Sequence, residues 1–507
     1  MYSLDGYDIQ KPITVARFAS PKHHLMEFVV NGHFGTGADA LPNNVSSASV
    51  RVYGELENLK MLDELFLMSV RVSEVLDQLG YSESMVRYRC EATERLDGIL
   101  NRHRTDYFGI TIGSKQEGYC CPFESDRDVM FIHKTVICRL QVAGSSPLPD
   151  THTEFIMDNE YCNPGYYRLE LKHKAEGEDS NITAAMVEHI NGREYVSSEK
   201  YTYLFRKSFN LSTVSGPALT ECNDYQSWDY VFALPCISQK QLLSEWINRP
   251  RYHNWPSPEL IQEIPQLPAY LVPVGCKSSE NKHMEWRVCF IGELKLTDSF
   301  MESQYKLYIL LKYINKHVLK PICKDMSSFI MKNVVFWYVE STSRESFSIH
   351  NLVVNIISCL KMLQQSIREN NLPYYMIRGR NLLRGRINLT QHHHLIAKLD
   401  ELIQEGPIVI MRCPKVRLAL QMPSAELIKQ GRWRDKLEKL WVEMWNMWWA
   451  YCLPGIEVEE MFRQAGRSHS FINVWQEMND LVWPQWRLYQ GQDFPTIYRR
   501  KILIALK

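Results

Sequence analysis

Three carboxylates and one glycine–serine pair are the residues of this sequence with the clearest chemistry. The run Ile112-Gly113-Ser114-Lys115-Gln116-Glu117-Gly118 is followed by Glu124-Ser125-Asp126-Arg127-Asp128-Val129-Met130. A Gly-Ser pair between a β-like residue and a short turn can offer backbone N–H groups and a hydroxyl to a phosphate. Twelve residues after Ser114 comes Asp126-x-Asp128, leading into an apolar run. On an extended chain residues i and i+2 point to one side. Both carboxylates then face one point, which is what bridging two divalent cations requires. Hard cations such as Mg²⁺ take oxygen ligands, and a pair of them binds the attacking and leaving oxygens of phosphoryl transfer. Asp229, in Trp228-Asp-Tyr-Val-Phe-Ala-Leu, is placed to bring a third carboxylate from a neighbouring strand. A Gly-Ser pair or an Asp-x-Asp alone is commonplace; the combination at this spacing points to two-metal chemistry on a phosphate.

The elements that must hold these residues follow from periodicity. Leu56, Leu59, Leu62, Leu65, Met68, Val72 and Val75 recur every three or four residues, predicting a helix that Gly80 ends. A second amphipathic helix is expected over Met85–Arg104. After Thr105 the texture turns to short β-like runs, at Val129–His133, Val136–Val142, Tyr166–Lys172, Tyr230–Leu234, Tyr270–Val274 and Trp286–Ile291. From Ser303 helices return, over Gln304–Val318, Ser327–Glu340, Ile349–Glu369, Gln391–Gln404 and Ser424–Cys452. The expected architecture is α+β: a helix-flanked sheet lobe, then an all-helical lobe. Eight of the 13 Trp lie in the last 75 residues, and Trp441, Trp445 and Trp448 share one helix face, which reads as a helix–helix seam.

Composition narrows the class further. The 507 residues carry 58 Lys+Arg against 58 Asp+Glu, so an indiscriminate coat for nucleic acid is excluded while a local basic face is not. High aromatic content argues against disorder. The longest apolar runs, Asn333–Val339 and Leu352–Leu360, fall short of the ~20 residues of a membrane span. An odd 13 Cys without a CxxC pair, and no leader pattern at Met1–Asp8, lead to the expectation of a reduced, cytoplasmic protein without a membrane partner.

The run Gly113–Met130 resembles the nucleotidyltransferase signature of the Mab-21 (male-abnormal) domain family, which includes cyclic GMP–AMP synthase and the invertebrate cGAS-like receptors. Trp255–Ile261, Leu271–Gly275, Glu285–Phe290, Tyr305–Lys312, Ser327–Trp337 and Leu372–Tyr375 resemble further family blocks. The resemblance implies a bilobed nucleotidyltransferase fold, with a polymerase-beta-like mixed sheet and a long spine helix, followed by a helical Mab-21 lobe. The domains would be an arm (1–52), the transferase core (53–300), the Mab-21 lobe (301–390) and a Trp-rich helical extension (391–507).

Carried over, the resemblance makes Asp126, Asp128 and Asp229 the ligands of two Mg²⁺ ions, with Mn²⁺ as a substitute. Asp229 would also orient or deprotonate a ribose hydroxyl. Gly113 and Ser114 would hold a triphosphate, Lys312 would neutralise phosphate charge, and Arg287 would contact the acceptor nucleotide. Ser328 and Phe329 would lie beside a base, Phe standing where relatives often have Tyr. The implied activity joins ATP, GTP or other ribonucleoside triphosphates into a cyclic dinucleotide for a STING-type receptor, on activation by double-stranded RNA. Candidate RNA contacts are Arg51, Lys60, Arg71, Arg87, Arg89, Arg102 and Arg104, with Arg378, Arg380, Arg384 and Arg386 as a second cluster. A catalytically silent nucleotide-binding scaffold and a transferase with linear products are the alternatives. No zinc is expected, because Leu296 to Gln304 holds no His or Cys where cyclic GMP–AMP synthase carries its zinc insertion. The acid that contacts the base is left open near Glu293. His392-His393-His394 cannot converge on one ion from consecutive helical positions.

Overall fold

The structure is a computed structural model and describes residues 63–482, apart from 103, 142–149, 177–178, 189–191, 210, 212, 223–226 and 452–457. The expected arm, Arg51, Lys60 and the far end of the chain lie outside the described residues. The described residues belong to one compact unit.

The first expected helix runs to a kink at Gly80, whose φ of 96° suits only glycine, and the chain resumes as α1 (Glu83–Asn101). Leu65, Val72 and Val75 of the predicted stripe are buried. The sheet is built from β1 (Tyr107–Ile112), β2 (Arg127–His133), β3 (Val136–Leu140), β4 (Thr153–Asp158), β5 (Tyr166–His173), β6 (Ala218–Cys222), β7 (Ser227–Cys236), β8 (Ala269–Val272) and β9 (Trp286–Phe290), with three shorter strands at its margins. Its order is β1-β2-β7-β8-β9-β5-β4-β3. The long strand β7 joins its two halves. Residues Trp228–Ala233 pair in parallel with β2, and Leu234–Cys236 pair with β8.

Both faces of this sheet are covered, so β2 reads as a continuous apolar run rather than an alternating one. Val129 and Phe131 enter the main core. Met130 and Ile132 join Val231, Ala233, Tyr270 and Val272 in a second cluster on the opposite face. That second face carries the candidate chemistry, because Asp128 and Asp229 share the alternation of Met130 and Val231.

The helices that follow are α2 (Glu302–Ile314), α3 (Ser328–Ser341), α4 (Leu352–Arg368) and α5 (Leu389–Gln404). Almost every side chain of α2 is buried, as expected of a helix enclosed on all sides. Two long elements complete the described chain, α6 (Ser424–Trp449) and α7 (His469–Val482). α6 packs along α1 and against α7. Trp441 and Trp445 of its Trp face line a pocket together with Ala92, Thr93 and Leu96 of α1. Trp441 meets Phe123 with ring centroids 5.4 Å apart, and Trp445 stacks between Trp441 and Trp448. No described helix is long and apolar enough to cross a membrane.

Candidate active site

Strand register brings the acids together. Asp128 stands opposite Asp229 across the parallel β2–β7 pair and opposite Ile112 across the antiparallel β1–β2 pair. Asp126 precedes β2 by one residue. The residue between the two acids points the other way. Arg127 Nη2 donates to Thr111 Oγ1 at 2.7 Å and to Asp97 Oδ1 at 3.3 Å, and its guanidinium lies over the Trp228 ring. Asp229 Oδ1 accepts from Thr220 Oγ1 of β6 at 2.6 Å.

The acids crowd one another. Burial first, then the charges of Asp229 and Asp126, raise the Asp128 carboxyl to about 7. Burial and Asp229 also raise Asp126 above the ordinary carboxylate range. As they stand the three repel and do not close into a cage: among the described residues, no group of three or more His, Cys, Asp or Glu is gathered in metal-holding geometry. The donor set is nonetheless all hard oxygen and short of positive charge, which fits Mg²⁺ or Mn²⁺ and not a soft metal.

The Gly-Ser turn abuts the acids. Gly113 opens a one-turn helix, Gly113–Gln116, at φ 68°. A Cβ there would lie 2.8 Å from Asp128 Oδ2, so glycine is required by both conformation and space. Ser114 is held from behind. Lys312 Nζ on α2 donates to Ser114 Oγ at 3.0 Å and to the Tyr119 carbonyl at 2.9 Å. Lys312 therefore steadies the loop and does not line the cleft.

Gly113, Ser114, Asp128, Arg287, Ser328 and Phe329 border one cleft of ≈ 390 Å³. Asp126 and Asp229 are not among its lining residues, but the charges of both act on Asp128. Lys332 and Tyr374, to which sequence reasoning gave no role, complete the walls with Glu293 and with Arg380 and Arg386, which were expected on a nucleic-acid surface. Lys332 is buried, forms an ion pair with Glu117 and approaches Glu293 Oε2 at 3.9 Å. Glu293, raised by burial against the pull of Lys332, accepts from the Tyr374 hydroxyl. Phe329 and Tyr374 face each other with centroids 5.8 Å apart. Lys332 lies four positions after Ser328, one helical turn, so the spacing carried a signal for it. Arg380 and Arg386 come from an irregular loop, where no periodicity points to them.

A second layer fixes the loop that carries Asp126. Lys115 Nζ donates to the carbonyls of Cys121 (2.8 Å) and Pro122. Glu124 accepts from Lys415 Nζ (2.5 Å), Tyr313 (2.7 Å), Tyr81 and the Cys121 N–H (2.9 Å). Burial alone would raise Glu124, but Lys415 and these hydrogen bonds hold it well below the carboxylate range. Arg89 donates to Glu438 and to the Gly118 carbonyl at 3.1 Å, and Arg434 joins Glu438 at 3.2 Å. Residues after 401 thus touch the loop that carries Asp126 directly.

Residues 303–401, which span α2 to most of α5, match a known family model, that of the Mab-21 protein HhH/H2TH-like domain. The match supports membership of the Mab-21 family. That family is nucleotidyltransferase-like, which supports a general transferase reading of the chain. No curated protein matches the sequence. The Mab-21 domain supplies Lys312, Ser328, Phe329, Lys332, Tyr374, Arg380 and Arg386, while the sheet supplies the acids.

Two expectations about the basic residues need correcting. Arg89 is buried on Glu438 and offers nothing to a ligand. Arg380 and Arg386 face the cleft, so they are not part of a remote nucleic-acid surface. Arg102 is exposed, Arg87 is exposed but paired with Glu83, Arg71 is paired with Glu74, and Arg104 is partly buried over Phe131. His392 Nε2 contacts the Ile367 carbonyl at 2.9 Å, an ordinary packing role.

Proposed function

We propose that the protein is a metal-dependent nucleotidyltransferase of the bilobed fold that joins two ribonucleoside triphosphates into a cyclic dinucleotide. The observation that carries the reading is the register of Asp128 against Asp229, with Asp128 and the Gly113–Ser114 turn together in one cleft and Asp126 one residue before the strand of Asp128. Asp126, Asp128 and Asp229 would hold two Mg²⁺ or Mn²⁺ ions, whose charge neutralises the attacking and leaving oxygens. Ser114 and the N–H groups of its turn hold the triphosphate. Asp229, anchored by Thr220, orients the attacking ribose hydroxyl and accepts its proton. The hydroxyl oxygen bonds to the α-phosphorus, the α–β bridging bond breaks, and pyrophosphate leaves. A second transfer of the same kind closes the ring. Phe329 offers a π-face for a base, and Arg287 reaches the acceptor nucleotide.

The same reading makes the product a second messenger for a STING-type receptor and double-stranded RNA the activator, read through phosphates and 2′-hydroxyls. Arg87 and Arg102 are its exposed contacts on and beside α1. A silent nucleotide-binding scaffold is the second reading, favoured by the open arrangement of the acids. One experiment separates these readings: the purified protein is incubated with four labelled ribonucleotides and Mg²⁺ or Mn²⁺, with and without duplex RNA or DNA, and the products are resolved after phosphatase. A phosphatase-resistant product supports the cyclic reading. A phosphatase-sensitive one indicates linear products, and no product under any condition indicates the scaffold.

A further inference from the structure

Beyond Arg287 the cleft gives onto an annex of ≈ 340 Å³. Its charged lining is Lys277, Arg287, Arg380, Arg384 and Arg386 against a single acid, Asp325. That acid is already engaged by Lys277 at 2.5 Å. Among the described residues, none of the four arginines has a carboxylate within ion-pairing distance, and Arg287 Nε is buried without a hydrogen-bond partner.

The guanidiniums are positioned but not neutralised. Arg380 is 5% exposed and lies on two aromatic faces, 5.4 Å from the Tyr166 centroid and 4.7 Å from that of Tyr374. Burial, together with the charges of Arg287 and Arg380, pushes Arg386 below its ordinary value. Holding like charges together out of water is unfavourable unless an anion joins them. A guanidinium presents a planar fork of donors that matches phosphate oxygens two at a time. Several such forks around one small cavity match a group with several phosphates better than a single carboxylate. The volume is that of a small-molecule site, whereas a nucleic-acid duplex would lie across a surface. The annex is also distinct from the acid end of the cleft, whose unmetalled carboxylates repel phosphate.

We propose that this annex is a second anion site, which takes the polyphosphate group of a small phosphorylated ligand. Its existence does not depend on the transferase reading, and the test therefore needs no turnover. The full chain is titrated by calorimetry with inorganic tripolyphosphate, and separately with ATP, in the absence of divalent cations. Tripolyphosphate is expected to bind, Asp126→Asn to bind it unchanged, and Arg384→Glu, at an exposed position, to weaken it roughly tenfold or more. ATP binding with the same Arg384 dependence identifies the ligand as a nucleotide's phosphate tail. Binding of tripolyphosphate alone identifies a free polyanion, and either outcome supports the site. The proposal is overturned if a folded Arg384→Glu variant binds as tightly as the parent, if Asp126→Asn abolishes binding, or if only duplex RNA binds. Should Arg384→Glu fail to fold, Asp325→Asn serves instead. Freeing Lys277 must tighten tripolyphosphate binding, and unchanged or weaker binding overturns the proposal.

Discussion

The charges that line the cleft and the charges one layer beneath it are arranged on opposite rules. In the layer beneath, the buried arginines and Lys415 are matched with carboxylates: Arg89 and Arg434 with Glu438, and Lys415 with Glu124. Around the cleft, three carboxylates crowd at and beside Asp128 and the arginines crowd toward the annex, each group short of its counter-ion. A fold can keep unmatched charge only where the rest of the structure stabilises it, and unmatched clusters of this kind concentrate where ligands bind. The matched layer is what makes the unmatched one tolerable, because it holds the loop of Asp126 against the extension.

The largest effect should come from breaking a matched pair. Glu438→Gln leaves Arg89 buried without a carboxylate and Arg434 with Asp435 alone, and chemical denaturation should show a loss of roughly 3–5 kcal/mol. A loss below ~1 kcal/mol would mean that the extension does not brace the loop.

Lys415→Met should cost somewhat less, roughly 3 kcal/mol, because Tyr81, Tyr313 and the Cys121 N–H still bond Glu124. Its pH dependence is distinctive. The Glu124 carboxyl is depressed in the folded protein, so its contribution is fully present above its ordinary value of 4.5 and is lost as acid approaches the folded value. Denaturation curves of the parent and Lys415→Met should therefore converge as pH is lowered from neutrality to below that value.

The unmatched acids should behave in the opposite sense. Asp128 is raised to about 7 from an ordinary 3.8. Its neutral form suits the metal-free fold below the ordinary value, and that advantage disappears as pH rises through about 7. Without metal, Asp128→Asn should melt a few degrees above the parent at pH 8 and level with it at pH 4. A variant that melts below the parent at pH 8 would count against crowding of the acids.

How much of this was legible in the sequence follows the same division. The acids could be read because strand alternation is a local rule, and Asp126-x-Asp128 states it within three residues. Asp229 followed because it begins an apolar run of strand character. The helices of the Mab-21 region were legible for the same reason, through the 3.6-residue period of their buried faces. β1 escaped because Gly109 interrupts it. A Cβ there would lie 3.0 Å from the Phe131 ring, a tight approach to which the ring would have to give way. β4 was hidden by Glu154 and Asp158, which are charged yet partnered by Arg139 and Arg168. The matched pairs join residues far apart in the chain, such as Arg89 and Glu438, and no spacing rule connects them. The arginine annex draws on β9, the Lys277 loop and the loop after Leu372, so it exists only once the chain is folded. Zero net charge concealed all of this: 58 against 58 describes both a neutral surface and a cleft with opposite poles.

The central claim is that Asp126, Asp128 and Asp229 act together on a nucleotide through divalent ions. Its most direct test is pyrophosphate release by the purified chain from ATP and GTP with Mn²⁺, with and without duplex RNA, beside Asp126→Asn and Asp229→Asn. The expected result is metal-dependent release that falls roughly 10²–10³-fold or more in either variant. Release that persists in both variants, or that proceeds without divalent ions, would contradict it.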